Sequence, residues 1–197
     1  MTLIRLLFFP LLISIALSSC ASLTKEECLT SDWRVVGERD GSSGFEPRGQ
    51  FNRHVKACKR VNVIPDHSLW HQGYQRGLVN YCTPANGLRV GQAGSTYHEV
   101  CPTVSEPGFL QGYVLGYQEH KARDHISSLE SRISSLQNEI DILLDKLGSA
   151  SSGDKGSVRR EIDHKREKIG DLSFEKEQAV YNLSTTQQAV AQFQRSL

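Results

Sequence analysis

From Ile126 to Leu147 apolar residues recur at spacings of three and four without a miss: Ile126, Leu129, Ile133, Leu136, Ile140, Leu143 and Leu147. This is a heptad seam, and a stripe so narrow needs a partner helix to bury it. A second seam runs through Val158, Ile162, Ile169, Leu172, Ala179, Leu183, Val190 and Phe193. Lys165, Lys176 and Thr186 fall on that stripe and weaken it. Residues 148–156 form a Gly/Ser-rich break between the two seams. Pro107 to Leu147 and Ser157 to Leu197 are nearly equal in length, about 60 Å each as helix. The pattern predicts an antiparallel hairpin over 108–197 that returns Val190 and Phe193 to the level of Gly112 and Gly116. A seam shared between subunits is the alternative to pairing within the chain.

Upstream, Gln-Gly-Tyr-x-x-Gly occurs twice, at Gln72–Gly77 and Gln111–Gly116, an internal duplication offset by 39 residues (111 minus 72). Two copies make no solenoid. Glycine at i and i+4 admits a second backbone at close range, and each glycine costs a helix about 1 kcal/mol against alanine without such a reason. Around the first copy Trp70, Tyr74, Leu78 and Tyr81 form one helical face, with Gly73 and Gly77 as a bare strip beside it. Further helices are predicted from a Thr24/Glu27 capping box, from Asp32 before Trp33, from Pro47 in a first turn and from Asp66 before His67. Phe51, Val55 and Cys58 are spaced as one buried face. The glycines and prolines between Thr83 and Pro107 predict an ordered loop without regular structure.

The N-terminus identifies a compartment. Arg5 precedes an apolar run from Leu6 to Leu17, too short to span a bilayer and suited to a secretory signal. Leu17-Ser18-Ser19-Cys20 resembles a bacterial lipobox, so residues 1–19 are expected to be removed and Cys20 to carry the lipid, with palmitate among its acyl chains. Ala21, in place of aspartate, favours the outer membrane. The processed chain has 178 residues (197 minus 19) and, with Arg5 gone, 22 basic against 22 acidic side chains. That balance lacks the basic excess of a nucleic-acid binder. Setting Cys20 aside leaves Cys28, Cys58, Cys82 and Cys101. An even number in an oxidising compartment implies two disulfides with three possible connectivities. Cys28–Cys58 with Cys82–Cys101, the order with the shortest loops, is favoured; free thiols or a zinc site are the alternatives.

Catalytic patterns are weak. There is no Gly-x-Ser-x-Gly elbow and no phosphate-binding loop. Asp32, Asp40 and Asp66 are read as helix caps. His67 and His71, His54 and Cys58, and His98 and Cys101 have spacings that metal sites use, but hydrogen-bonded or surface histidines are the default reading. No enzyme activity, metal or cofactor is expected. Trp33, Trp70, Tyr74, Tyr81 and Tyr97 gather in the cysteine-containing part, as its core or as the lining of a groove for a small ligand or cell-wall glycan.

Asp32-Trp33, Gly37, Asp40-Gly41, His54, Cys58, Pro65-Asp66, Gly73, Gly77-Leu78, Tyr81-Cys82, Pro84, Asn86-Gly87, Gly91, Gly94, Tyr97 and Val100-Cys101-Pro102 together resemble a family of uncharacterised proteobacterial lipoproteins, catalogued as a domain of unknown function. The resemblance covers Cys28 to Gly116. Trp70 stands where tyrosine is expected, and Glu99 where glycine is common. The family implies a cell-envelope location and brings no catalytic residue. The expected architecture is mainly α: a signal peptide over 1–19, a disulfide-stabilised helical domain with a glycine-rich loop over 20–107, and the helical hairpin over 108–197. The expected role is a non-enzymatic, periplasm-facing outer-membrane lipoprotein. Its lipid anchor would meet the membrane, its hairpin would meet an envelope protein partner, and nucleic acid is not expected.

Overall fold

The computed structural model describes residues 22–149 and 151–197, and no strand occurs among them. The expected signal segment and Cys20 lie outside the described residues. The helices are α1 (Lys25–Thr30), α2 (Trp33–Ser42), α3 (Pro47–Cys58), α4 (His67–Tyr81), α5 (Pro84–Gln92), α6 (Glu106–Ser149) and α7 (Lys155–Arg195), with a 3-10 turn at Lys59–Val61 after α3. The starts follow the sequence signals. Thr24 Oγ1 accepts from Glu27 N while Glu27 Oε2 accepts from Thr24 N, closing the capping box. Asp32 accepts from Arg34 N and Asp66 from Leu69 N.

The stretch from Thr83 to Pro107 corrects the expectation of one long irregular loop. Thr83 caps and Pro84 opens a nine-residue helix, and irregular chain begins only at Ala93. Gly87 and Gly91 do not break α5, because their bare backbone lies against α6. A Cβ at Gly87 would sit 2.1 Å from Phe109 O, and one at Gly91 2.2 Å from Tyr113 O. Tertiary contact thus overrides the propensity penalty. Glu99 adopts a left-handed φ of 54°.

The duplication proves larger than the repeated motif. α2 crosses α4 as α5 crosses α6, backbone on backbone. Gly37 meets Trp70 O and Gly41 meets Tyr74 O in the first pair; Gly87 meets Phe109 O and Gly91 meets Tyr113 O in the second. From the other side Gly73 meets Arg34 O and Gly77 meets Glu38 O, as Gly112 meets Pro84 O and Gly116 meets Leu88 O. Each leading helix ends on a positive-φ glycine, Gly44 or Gly94, facing the Tyr81 or the His120 ring. Tyr74 Oη donates to Phe45 O at 2.7 Å and Tyr113 Oη to Ser95 O at 3.1 Å. Every leading-helix position is offset by 50 residues (87 minus 37) and every second-helix position by 39. The protein therefore contains two copies of one helix-pair unit, sharing a core of Trp70, Tyr74, Leu78, Tyr81 and Phe109. The boundary expected at Pro107 falls inside the second unit, whose contacts continue to His120.

Each unit carries one disulfide, in the favoured connectivity. Cys28 and Cys58 bond with Cα atoms 5.4 Å apart, and Cys82 and Cys101 with Cα atoms 5.5 Å apart. The loops they close, 30 and 19 residues, correspond to about 3 to 4 kcal/mol each in the chain-entropy treatment. The double substitution Cys82→Ser/Cys101→Ser is expected to cost about 3 kcal/mol, read as a lowered urea midpoint with an intact far-ultraviolet helix signal.

Beyond the units α6 and α7 pair within the chain as the expected hairpin. α6 has 44 residues, about 66 Å of helix. Leu129, Ile140, Leu143, Val158, Ile162, Leu172 and Ala179 are buried along the seam. Val190 and Phe193 return to Leu88 and Leu115, and the Phe193 ring closes over Gly112. The seam lysines find acceptors on α6: Lys165 Nζ lies 2.6 Å from Glu139 Oε2 and Lys176 Nζ 3.7 Å from Glu130 Oε1. The hydrogen bond and charge of Lys165 hold the Glu139 carboxyl below its usual range, and the same hydrogen bond, with the Glu139 charge, pushes the lysine up.

Candidate functional site

The most polar point of the interior is Asp40, and it corrects the reading of this residue as a helix cap. It sits in the last turn of α2, 1% exposed. Trp70 Nε1 donates to Oδ2 at 2.8 Å, His54 Nε2 lies 2.7 Å from the same oxygen, and Gln50 Nε2 donates to Oδ1 at 3.0 Å. The other His54 nitrogen, Nδ1, is 3.0 Å from Ser22 Oγ. α3 is therefore rotated from the face expected of Phe51, Val55 and Cys58: His54 is fully buried and Val55 is 39% exposed. A carboxylate has four lone-pair directions and accepts several donors at once. No buried side-chain polar atom among the described residues lacks a partner. Ser22, His54 and Asp40 form a chain of contacts, yet the imidazole is sealed from solvent and meets no groove, so the network is a fastening between α2, α3, α4 and the start of the chain.

The sequence-selected aromatics are core. Trp70, Tyr74, Tyr81 and Trp33 are buried, and Tyr97 is half-buried. Trp70 stacks on Tyr74 with centroids 5.0 Å apart, Tyr81 on Phe109 at 5.1 Å, and Tyr97 leans on Phe109 at 4.7 Å. Their faces pack on one another, although Trp70 and Tyr81 also reach the edges of surface grooves. Tyr97 Oη donates to Glu106 Oε1 and accepts from Cys101 N, tying the irregular segment to α6.

Burial, which disfavours the phenolate, pushes Tyr97 up to about 12 and also raises Tyr74 and Tyr81. A group whose folded pKa lies above its unfolded value of about 10 stabilises the fold fully below that value and loses the contribution as pH rises through about 12. Phenolate absorbance of the native protein is thus expected to lag that of the urea-unfolded chain between those values. Coincident titrations would refute this burial effect.

His67 and His71 stack with centroids 5.9 Å apart at the surface, and His98 is exposed. No group of three or more metal-ligating side chains gathers among the described residues. Beside a groove of about 440 Å³ lined by Phe51, His67, Trp70 and His71, two more flank the units. One, of about 540 Å³, lies between the two glycine turns and is lined by Phe45, Tyr81, Arg89, Gly94 and His98. The other, of about 710 Å³, lies at the hairpin root between Leu110, Val114, Ala189 and Phe193. The two most exposed aromatics among the described residues are elsewhere. Phe174 and Tyr181, seven residues apart on the outward face of α7, are 64% and 74% exposed. Sequence reasoning missed them because it scored only the seam; their heptad position, two residues beyond Leu172 and Ala179, was the available signal.

Residues 32–118 match the model of a family described as a protein of unknown function, DUF2799. The two helix-pair units are the part of the chain that this model matches. The match begins at the α2 cap and ends two residues after Gly116, so it covers all eight crossing glycines and the Asp40 network except Ser22. It leaves out α1 and the hairpin beyond its root. No curated protein and no solved structure matches the chain.

Proposed function

We propose that the protein is a non-enzymatic lipoprotein of the outer membrane, facing the periplasm, in which the DUF2799 domain serves as a rigid base and the hairpin as an arm that meets an envelope protein. The observation that carries this reading is the outward pair Phe174 and Tyr181 on an arm whose own seam is already filled. Solvent-exposed aromatics contribute nothing to the hairpin's core, and aromatic side chains dominate binding surfaces. The lipobox-like Leu17-Ser18-Ser19-Cys20 and the two disulfides support the compartment.

A photo-crosslinking residue at position 174 or 181 of the full chain, expressed in its native envelope, is expected to capture a discrete protein. The same residue at Glu167, on the same face one heptad earlier, serves as the control. Absence of any protein adduct at both aromatic positions overturns the arm's role. Mass analysis of the Cys20 peptide tests the anchor separately: an unacylated cysteine overturns it.

A further inference from the structure

The processed chain is neutral overall, but its charge is segregated. Between Arg53 and Arg60 there are four cations, Arg53, Lys56, Lys59 and Arg60, and no acid. All four are exposed, on α3 and its 3-10 turn, with Lys56 opposite the buried His54 and Arg53 also donating to Gln50 Oε1. α1 packs beside them, joined through Cys28–Cys58, and adds exposed Lys25. Of the acids on α1, Glu27 is engaged by the capping box and Arg39, leaving Glu26 as its unengaged carboxylate. Exposed apolar side chains occur on the same elements and just after them: Val55 on α3 is 39% exposed, Leu29 on α1 63%, and Ile64, four residues after Arg60, 89%. Cations mixed with isolated apolar residues are the composition of a surface that rests on lipid headgroups.

The start of the chain fixes this face near the anchor. Leu23 is 2% exposed, its carbonyl accepts from Arg60 Nη2 at 2.5 Å, and Ser22 is held by His54. Leu23 is three residues on from Cys20, a reach of at most about 11 Å. That distance is comparable with the Debye length of about 8 Å at physiological salt.

We infer that the Lys25, Arg53, Lys56, Lys59 and Arg60 face docks the first helix-pair unit directly onto an anionic phospholipid surface, fixing the domain's orientation at the membrane. This rests on the proposed anchoring at Cys20 for its placement, but the headgroup contact itself needs no acyl chain. Each basic side chain near an anionic bilayer raises partitioning by roughly fivefold.

The test uses residues 21–197, which contain every described element, without the lipid. Sedimentation with phosphatidylcholine vesicles is compared with sedimentation with mixed phosphatidylcholine–phosphatidylglycerol vesicles. Binding is expected only to the mixed vesicles, weakening as salt is raised. The Lys56→Glu/Lys59→Glu pair, both exposed, is expected to reduce it by more than about tenfold, while Lys146→Glu/Lys168→Glu on the hairpin leaves it unchanged. Equal binding to both vesicle types, or an unaffected Lys56→Glu/Lys59→Glu variant, overturns the inference. So does a photo-crosslinker at position 56 of the full chain that captures protein in the envelope instead of lipid. An unacylated Cys20 with intact headgroup binding would remove the anchor alone.

Discussion

Replacing Gly73 with alanine is expected to destabilise the protein by about 4 kcal/mol, despite the better helix propensity of alanine. The added methyl would stand 1.9 Å from Arg34 O, well inside contact distance, and the obstacle is backbone that cannot rotate away. α2 and α4 would have to separate by more than an ångström, opening the core around Trp70 and Tyr74. Gly112→Ala, 2.2 Å from Pro84 O, should behave alike in the second unit. Gly170→Ala provides the opposite sign. Nothing lies within 4 Å of its Cβ position on α7, so the substitution is expected to raise stability by about 1 kcal/mol. Urea unfolding of the three variants decides the matter: a Gly73→Ala protein as stable as the parent would exclude the close crossing.

Asp40→Ala is expected to cost about 4 kcal/mol, since it strands the Trp70 indole N–H, the Gln50 amide and His54 without a buried acceptor. Asp40→Asn, which keeps one acceptor oxygen, should cost about half as much. The second unit shows the apolar solution to the same position, with Val90 at the offset of 50 from Asp40 and Phe109 at the offset of 39 from Trp70. Trp70→Phe removes one of the stranded donors, so Asp40→Ala and Trp70→Phe should be less costly together than the sum of their separate effects, by about 1 to 2 kcal/mol. Strict additivity in a double-mutant cycle would mean that the two side chains are not coupled.

Much of this architecture is legible in the chain because its signals are local. Caps at Thr24, Asp32 and Asp66, the cysteine parity and the unbroken seam from Ile126 to Leu147 each specify structure within a few residues or by simple periodicity. α5 was not legible, because Gly87, Gly91 and Gly94 read as breakers until α6 is placed against them. Asp40 was misread for a related reason. An acid close to Gly41 and Gly44 resembles a turn or cap residue, and its donors come from 10, 14 and 30 residues away. The equal spacing of Gly37, Gly41, Gly44 and Gly87, Gly91, Gly94 was visible in the chain, but only paired with Gly73–Gly77 and Gly112–Gly116 does it describe a repeated helix crossing. The candidate surfaces divide in the same way. Phe174 and Tyr181 follow from heptad counting, whereas the cationic face depends on which side of α3 His54 turns inward.

By itself, then, the sequence determined the helical class, the cysteine pairing preferred by loop length and the hairpin with its return to Gly112, since each rests on short-range periodicity or chain connectivity. The tertiary structure decided that the glycine-rich stretch is half helix, that two equivalent units share one core, and that Asp40 fastens the first of them. Those outcomes depend on backbones meeting at distances that only a bare Cα permits, and on a buried carboxylate of α2 collecting three donors from α3 and α4.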